Sequence, residues 1–251
     1  MTTLLIDADG VAFKAAAAVQ KVIRWDDDIL TTHADLNEAI DAFEGLLATY
    51  VRAAEDESAE IILCYSCPSR HYFRHDLLPT YKGNRKDAPP LALRPLKEWS
   101  ATKYVTKTKP NLEADDVLGI LATHKSLVKG TKIIVTIDKD LQQIPGLHLN
   151  TDDVAAGVFR VSPDFGRRVL WRQVLTGDTV DNYSGCPGIG PKRVGAILDG
   201  MTEDNFAERL LAAYEKAGLS RAELETQFNV ARILTASTYN FKTKEPILWQ
   251  M

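Results

Sequence analysis

Two short apolar runs that each end in paired acids constrain this chain more than any other feature. Leu4-Leu5-Ile6 runs into Asp7 and Asp9, and Ile133-Ile134-Val135-Thr136-Ile137 runs into Asp138 and Asp140. Unbroken apolar runs of this length, rich in β-branched residues, read as strands buried on both faces. Ile61-Ile62-Leu63 is a third, and Leu147-His148-Leu149 and Val158-Phe159 are shorter candidates. Helical apolar spacing separates them, from Val11 to Val22, from Asp35 to Ala54 and from Leu112 to Ala122. From Pro163 on, the chain reads as helices. The alternation predicts an α/β fold, a mainly parallel central sheet with helices on both faces and a helical C-terminal part. With 251 residues, 45% of them apolar, such a core forms without staples. No apolar run approaches a membrane span, and the first residues lack the basic-then-apolar pattern of a secretory signal.

In an open parallel sheet, ligands sit beyond the carboxyl ends of the strands. Two further acidic groups belong in the same argument. Glu113-Ala114-Asp115-Asp116 opens a helix after Pro110-Asn111, and Asp178 and Asp181 lie in Leu175-Thr176-Gly177-Asp178-Thr179-Val180-Asp181-Asn182. One such group alone caps a helix or shapes a turn. Four gathered together repel one another unless cations neutralise them. Hard oxygen donors select Mg²⁺ or Mn²⁺, and two ions at about 4 Å clamp the attacking and leaving oxygens of a phosphodiester. No residue has the pattern of a covalent nucleophile, so metal-activated water fits that role.

The net charge of −4 hides a segregation. Residues 1–69 hold 4 Lys and Arg against 13 Asp and Glu, whereas residues 70–109 hold 10 against 3. The basic stretch is interleaved with Tyr72, Phe73, Tyr81, Trp99 and Tyr104, the composition of a surface that holds phosphates and stacks bases. Downstream, Gly185-Cys186-Pro187-Gly188-Ile189-Gly190-Pro191-Lys192-Arg193-Val194 reads as a helix–hairpin–helix. Its backbone N–H groups would take duplex phosphates without reading sequence. Cys64, Cys67 and Cys186 make no disulfide framework, and Cys64-x-x-Cys67 reads as a buried strand cysteine followed by a loop cysteine.

Together these stretches resemble the 5′-nuclease family of flap endonucleases, polymerase-associated 5′-nuclease domains and phage 5′→3′ exonucleases. The matching residues are Leu4-Leu5-Ile6-Asp7, Leu78-Pro79-Thr80-Tyr81-Lys82-Gly83-Asn84-Arg85, Leu112-Glu113-Ala114-Asp115-Asp116, Asp138-Lys139-Asp140, and Gly177-Asp178 through Lys192. The tail, from Ala231-Arg232-Ile233-Leu234 through Tyr239-Asn240-Phe241 to Leu248-Trp249, resembles tailed-phage gene-six-type exonucleases. The resemblance implies a nuclease core over 1–165, with a helical arch at 69–102, and a helical region over 166–251 carrying the hairpin. It implies a first metal at Asp7, Glu113, Asp115, Asp116, Asp138 and Asp140, and a second at Asp138, Asp140, Asp178 and Asp181. Lys82 and Arg85 would steer the scissile phosphate, and the hairpin would also hold K⁺. Arg70, Tyr72, Phe73, Arg74, Tyr81, Lys86, Gly188, Gly190, Lys192 and Arg193 are the DNA-contacting candidates. The implied substrate is DNA with free 5′ ends, flaps or nicks, cut by a monomer in the cytoplasm, with no membrane partner and no replication partner that the sequence identifies.

One position departs from the family. An Asp is usual at the end of the second strand of the core, and here Ser66 or Cys67 stands there. A thiol is a poor Mg²⁺ ligand, so the site would lean on Asp9 or on water. Two other readings stay open. Leu5-Ile6-Asp7-Ala8-Asp9-Gly10-Val11 matches the D-x-D-G-V of haloacid-dehalogenase-type phosphatases, with Asp7 as nucleophile. A DNA-binding protein without catalysis would keep the hairpin and the basic stretch.

Overall fold

The computed structural model describes residues 1–84 and 88–251. β1 (Thr2–Asp7) passes directly into α1 (Ala8–Ala18), with Asp7 at the helix N-cap. A hairpin of β2 (Lys21–Arg24) and β3 (Leu30–His33) follows, then α2 (Leu36–Ala53), capped by Asp35 through the amides of Asn37 and Glu38. β4 (Glu60–Cys64) leads through α3 (Phe73–Leu77) and α4 (Leu93–Lys103) to β5 (Val105–Lys107). α5 (Ala114–Thr123), β6 (Thr131–Thr136), β7 (Gly146–Asn150) and β8 (Phe159–Val161) complete the α/β part. α6 (Pro163–Thr176), α7 (Pro191–Leu198), α8 (Phe206–Lys216) and α9 (Arg221–Ala231) follow, and the paired β9 (Tyr239–Asn240) and β10 (Glu245–Pro246) close the chain.

The central sheet runs β5-β4-β1-β6-β7-β8, parallel as far as β7, with β8 antiparallel at the edge. Alternation along the buried strands divides two cores. Leu4, Ile6, Ile133 and Val135 face α1, α2 and α4, while Leu5 and Ile134 face α5 and the C-terminal tail. A third cluster joins α6 to α9 and takes in Tyr81. The expected mainly parallel sheet with helices on both faces is thus the fold. Among the described residues, no helix is long and apolar enough to cross a membrane.

Two expectations need correction. The helix expected over Val11 to Val22 stops at Ala18, and Val22 and Ile23 belong to an exposed hairpin that turns at Asp26-Asp27-Asp28. Two flanks of the expected arch, α3 and α4, do not stand clear of the core. Phe73 and Arg74 bury inward from α3, and Leu96 and Ser100 from α4. Arg85 and Lys86 lie outside the described residues. The tail also crosses back, because Ile233, Leu234 and Tyr239 pack with Leu5, Leu112 and Val117 of the core, and Trp249 stacks on Phe228 at 4.2 Å.

Gly119 measures how tightly the tail is bound. A Cβ built there would stand 2.2 Å from the carbonyl oxygen of Leu234. Helix propensity favours Ala over Gly by about 1 kcal/mol, while overpacking costs about 1–3 kcal/mol. The clash is with backbone and wins. Gly119→Ala should therefore lower unfolding free energy in urea, by up to about 2 kcal/mol; a stabilised variant would show that the tail is loosely held.

Candidate active site

The acids meet because their elements end on one edge of the sheet. Asp7 ends β1, and Asp138 lies two residues beyond β6 and caps a 3₁₀ turn, accepting from the Asp140 amide at 2.8 Å. Thr136 ties these two ends together. Its hydroxyl donates to Asp7 Oδ2 at 3.1 Å and accepts from the Asp138 amide at 2.9 Å. α5 brings Glu113 at its N-cap and Asp115 and Asp116 in its first turn. A cleft of about 460 Å³, lined by Asp7, Gly10, Lys14, Tyr50, Thr136 and Asp152 among others, opens beside Asp7.

Asp178 and Asp181 come from a loop closed by its own backbone. Asp178 and Tyr183 exchange amide–carbonyl hydrogen bonds of 2.9 and 3.0 Å. Gly177 and Gly185 close the neck of the loop, both at positive φ, and a Cβ on Gly185 would lie 2.2 Å from the Gly177 nitrogen. Only glycine combines this conformation with this approach. The loop docks on residues 78–84, where the Lys82 amide donates to the Asp181 carbonyl at 2.9 Å.

Arg74 sits behind the acids, 3% exposed. Its guanidinium grips Asp116 through Nη1 at 2.6 Å and Nη2 at 2.9 Å, and Nη1 also meets Glu113 at 2.9 Å. Nε and Nη2 donate to the carbonyls of Val230 and Arg232, each at 2.8 Å. Asp116 takes a further amide, that of Leu234, at 3.0 Å. Glu113 is likewise engaged, by Arg74, by an ion pair with Lys82 and by Tyr81. The Tyr81 hydroxyl lies 3.0 Å from Glu113 and 2.9 Å from Asp181, so its single proton serves one at a time. Glu113 and Asp116, expected as metal ligands, therefore have their oxygens occupied by protein donors. A buried carboxylate persists only when paired in this way.

The remaining acids are short of positive charge. Burial, then Asp9 and Asp138, lift Asp7 to about 6 against a hydrogen bond from Thr136. Burial, then Asp138 and Asp178, lift Asp140 to about 7. Asp115 is pushed well above the ordinary carboxylate range by burial, then by Asp7 and Asp138. Asp138 is raised by burial, with Asp181 and Asp178 adding to it. Glu113 is the contrast: burial would raise it, but Arg74 and Lys82 outweigh that and hold it low. Among the described residues, no three His, Cys, Asp or Glu side chains stand ready to grip an ion as they are. The donor set nevertheless fits a divalent ion. It is hard oxygen, and burial and mutual charge disfavour its charged forms, which a bound cation would favour.

Asp9 reaches the place of the absent second-strand acid. Its carboxylate accepts the Ser66 amide at 2.8 Å, just beyond β4, and pairs with Lys97 from α4. Cys64 is buried at the end of β4, and Cys67 is a loop cysteine beside Ser69, the arrangement the sequence predicts.

The DNA-contacting candidates divide by exposure. Arg70, Lys192 and Arg193 are exposed, Tyr72 is half-buried, and Gly188 and Gly190 lie in the open turn before α7. A Cβ on Gly190 would meet nothing within 4 Å. Phe73, Arg74 and Tyr81 are 3–6% exposed and cannot stack on a base. Phe73 belongs to the core under α5, Tyr81 to the helical cluster, and Arg74 to Asp116. Sequence reasoning missed Thr136, which is legible only as a polar residue inside an apolar strand. It also missed Lys97, which nothing in the sequence pairs with Asp9.

Residues 2–157 match the family described as 5'-3' exonuclease, N-terminal resolvase-like domain. The chain belongs to the 5′-3′ exonuclease family. It is 27% identical to the exodeoxyribonuclease of Enterobacteria phage T3, over 98% of this chain and 92% of the relative. It is 36% identical to flap endonuclease Xni of Shewanella sp. (strain W3-18-1), over 50% of this chain and 52% of the relative. Among solved structures it is similar to T5 5′-exonuclease with divalent metal ions (zinc) bound. The TM-score is 0.62 at 14% identity, covering 92% of this chain and 89% of the other, and this likeness carries the fold. The T5 D15 flap endonuclease with DNA and metal ions superposes with a TM-score of 0.61 at 14% identity, covering 92% of this chain and 89% of the other. The family membership removes the phosphatase reading of Asp7 and Asp9.

Arg74→Met should cost about 3–5 kcal/mol of unfolding free energy, because it leaves Asp116 buried and uncompensated. Urea unfolding measures it. A loss under 1 kcal/mol would return Arg74 to a surface role.

Proposed function

We propose that the protein is a divalent-metal-dependent 5′→3′ exonuclease with 5′-flap endonuclease activity, acting on DNA without sequence specificity. The observation that carries this reading is the group Asp7, Asp115, Asp138 and Asp140, gathered at one sheet edge with their charged forms disfavoured. These four, with Asp178 and Asp181, would hold two Mg²⁺ or Mn²⁺ ions. Such ions, when bound, supply charge to the phosphodiester and activate water for attack.

The chain's own residues do the rest. Arg74 holds Asp116 and Glu113, and so fixes where α5 presents Asp115. Lys82, paired with Glu113 and 3.4 Å from Asp181, places a cation at the mouth of the acids, where charge develops on the scissile phosphate. Arg85 would add a second from the same segment. Asp9 closes the β4 side, where the family acid is replaced. The turn at Gly188 and Gly190, with exposed Lys192 and Arg193 at the start of α7, takes duplex phosphates through N–H groups and charge, and K⁺ at the turn would be part of that grip. Arg70 and Tyr72 face the incoming 5′ end. The protein would act as a monomer in the cytoplasm of an infected host.

The test is cleavage of a 5′-labelled flap DNA in Mg²⁺, in Mn²⁺ and in EDTA. Short labelled fragments should appear with metal only. Asp138→Asn should abolish them while leaving flap binding intact, and full activity in that variant would remove Asp138 from the metal site. Binding without cleavage in either metal would leave a structure-specific DNA-binding protein. Lys82→Ala should lower kcat at least about 100-fold, a loss read directly as transition-state stabilisation; an unchanged kcat would remove Lys82 from the reaction.

A further inference from the structure

Some surface lysines are paired: Lys14 with Asp152, Lys21 with Glu38, Lys97 with Asp9. One unpaired group comes together from two distant parts of the chain. Lys107 ends β5, Lys109 follows it, and Lys242 and Lys244 come from the tail around the β9–β10 pair. Among the described residues none of these four forms an ion pair, although the chain separates the two halves by more than a hundred positions. Glu245 is the adjacent acid, exposed on the same hairpin.

Lys109 is held rather than free. Its Nζ lies 4.6 Å from the Tyr239 ring centre and 5.5 Å from that of Phe241, and those rings meet edge to face at 5.1 Å. Aromatic faces attract a cation, and here they fix one beside its like-charged neighbours. Burial, then Lys244 and Lys107, lower the Lys109 pKa, as expected of crowded ammonium groups without a counter-charge.

The place of the group matters. In the sheet register Asp7 lies beside Cys64, and Cys64 beside Lys107. At roughly 4.8 Å per strand, Lys107 stands about 10 Å from Asp7 on the same edge. α6, on which α7 packs, contacts the 3₁₀ turn after β6, and β6 lies on the other side of β1 from β4. The lysines thus lie on the β5 side of Asp7, away from that contact.

We propose that Lys107, Lys109, Lys242 and Lys244 form a second DNA-backbone site, which holds the duplex arm leaving the catalytic acids on the β5 side. The inference rests on the nuclease reading above and adds where the second arm of a branched substrate lies. Each lysine offers a phosphate one charge-assisted contact without reading sequence.

The test is binding of a two-armed flap DNA in EDTA across a salt series, by wild type and by K107A/K109A/K242A/K244A. The variant should bind at least tenfold more weakly at 0.1 M salt, with the slope of log K against log salt reduced by about three to four. Shortening one of the two duplex arms should weaken wild type and erase the difference between the proteins. Shortening the other should preserve the difference. Equal affinities on the full substrate, or a difference that survives removal of either arm, would overturn the proposal. K242A/K244A alone, on exposed positions, should show about half the change in slope and keeps the test valid if loss of Lys109 unfolds the tail. Wild-type cleavage in Mg²⁺ is read separately. Arm-dependent binding without cleavage would fail the nuclease reading and leave this one standing.

Discussion

Repulsion among carboxylates is the constraint that organises this molecule. Asp7, Asp9, Asp115, Asp138, Asp140, Asp178 and Asp181 crowd one sheet edge, with Glu113 and Asp116 immediately behind. Among the described residues, Arg74, Lys82 and Lys97 are the cations paired with them. A fold that keeps so many like charges together spends stability on a site. The surrounding architecture is arranged so that the spending does not dismantle the scaffold.

It does so in two layers. The rear layer is balanced: Arg74 and Lys82 meet Asp116 and Glu113, and the tail at 230–234 supplies carbonyls to Arg74 and an amide to Asp116. Gln143 stitches the same tail to the turn that carries Asp140, accepting the Ile233 amide at 3.0 Å and donating to the Ala231 carbonyl at 2.8 Å. In the front layer Asp7, Asp115, Asp138 and Asp140 are lifted towards protonation by burial and mutual charge. A rigid, satisfied rear that supports an unsatisfied front is what preorganisation for a cation demands. The tail is therefore part of the catalytic scaffold, not an appendage to it.

The sheet and the acids at its strand ends were legible because apolar runs and their flanking aspartates are local patterns. β1, β4 and β6 needed no tertiary information, and their carboxyl ends lie together because parallel strands share one direction. What could not be read depends on pairings across the chain. Arg74 looked like part of a basic DNA-facing run, and only Asp116 and the Val230 and Arg232 carbonyls show it turned inward. Phe73 and Tyr81 suffered the same error, since an aromatic between cations reads alike whether it stacks on a base or fills a core. The apolar spacing runs on through Val19 to Val22 and so predicts a helix past its true end at Ala18. The role of Lys107 and Lys109 was hidden for another reason: their partners in charge, Lys242 and Lys244, lie at the far end of the chain.

The most direct test of the central claim is thermal unfolding of the metal-free and Mg²⁺-loaded protein between pH 5 and pH 8. Asp7 and Asp140 have folded-state values raised from 3.8 to about 6 and about 7. A raised carboxyl group stabilises the fold below its unfolded value, and that stability is lost as pH rises through the folded value. The metal-free Tm should therefore fall between pH 5 and pH 8. Mg²⁺ should raise it, by more at pH 8 than at pH 5, as a cation that binds only the folded, ionised acids must. A metal-free Tm that is flat over this range, with no response to Mg²⁺ at pH 8, would contradict the account.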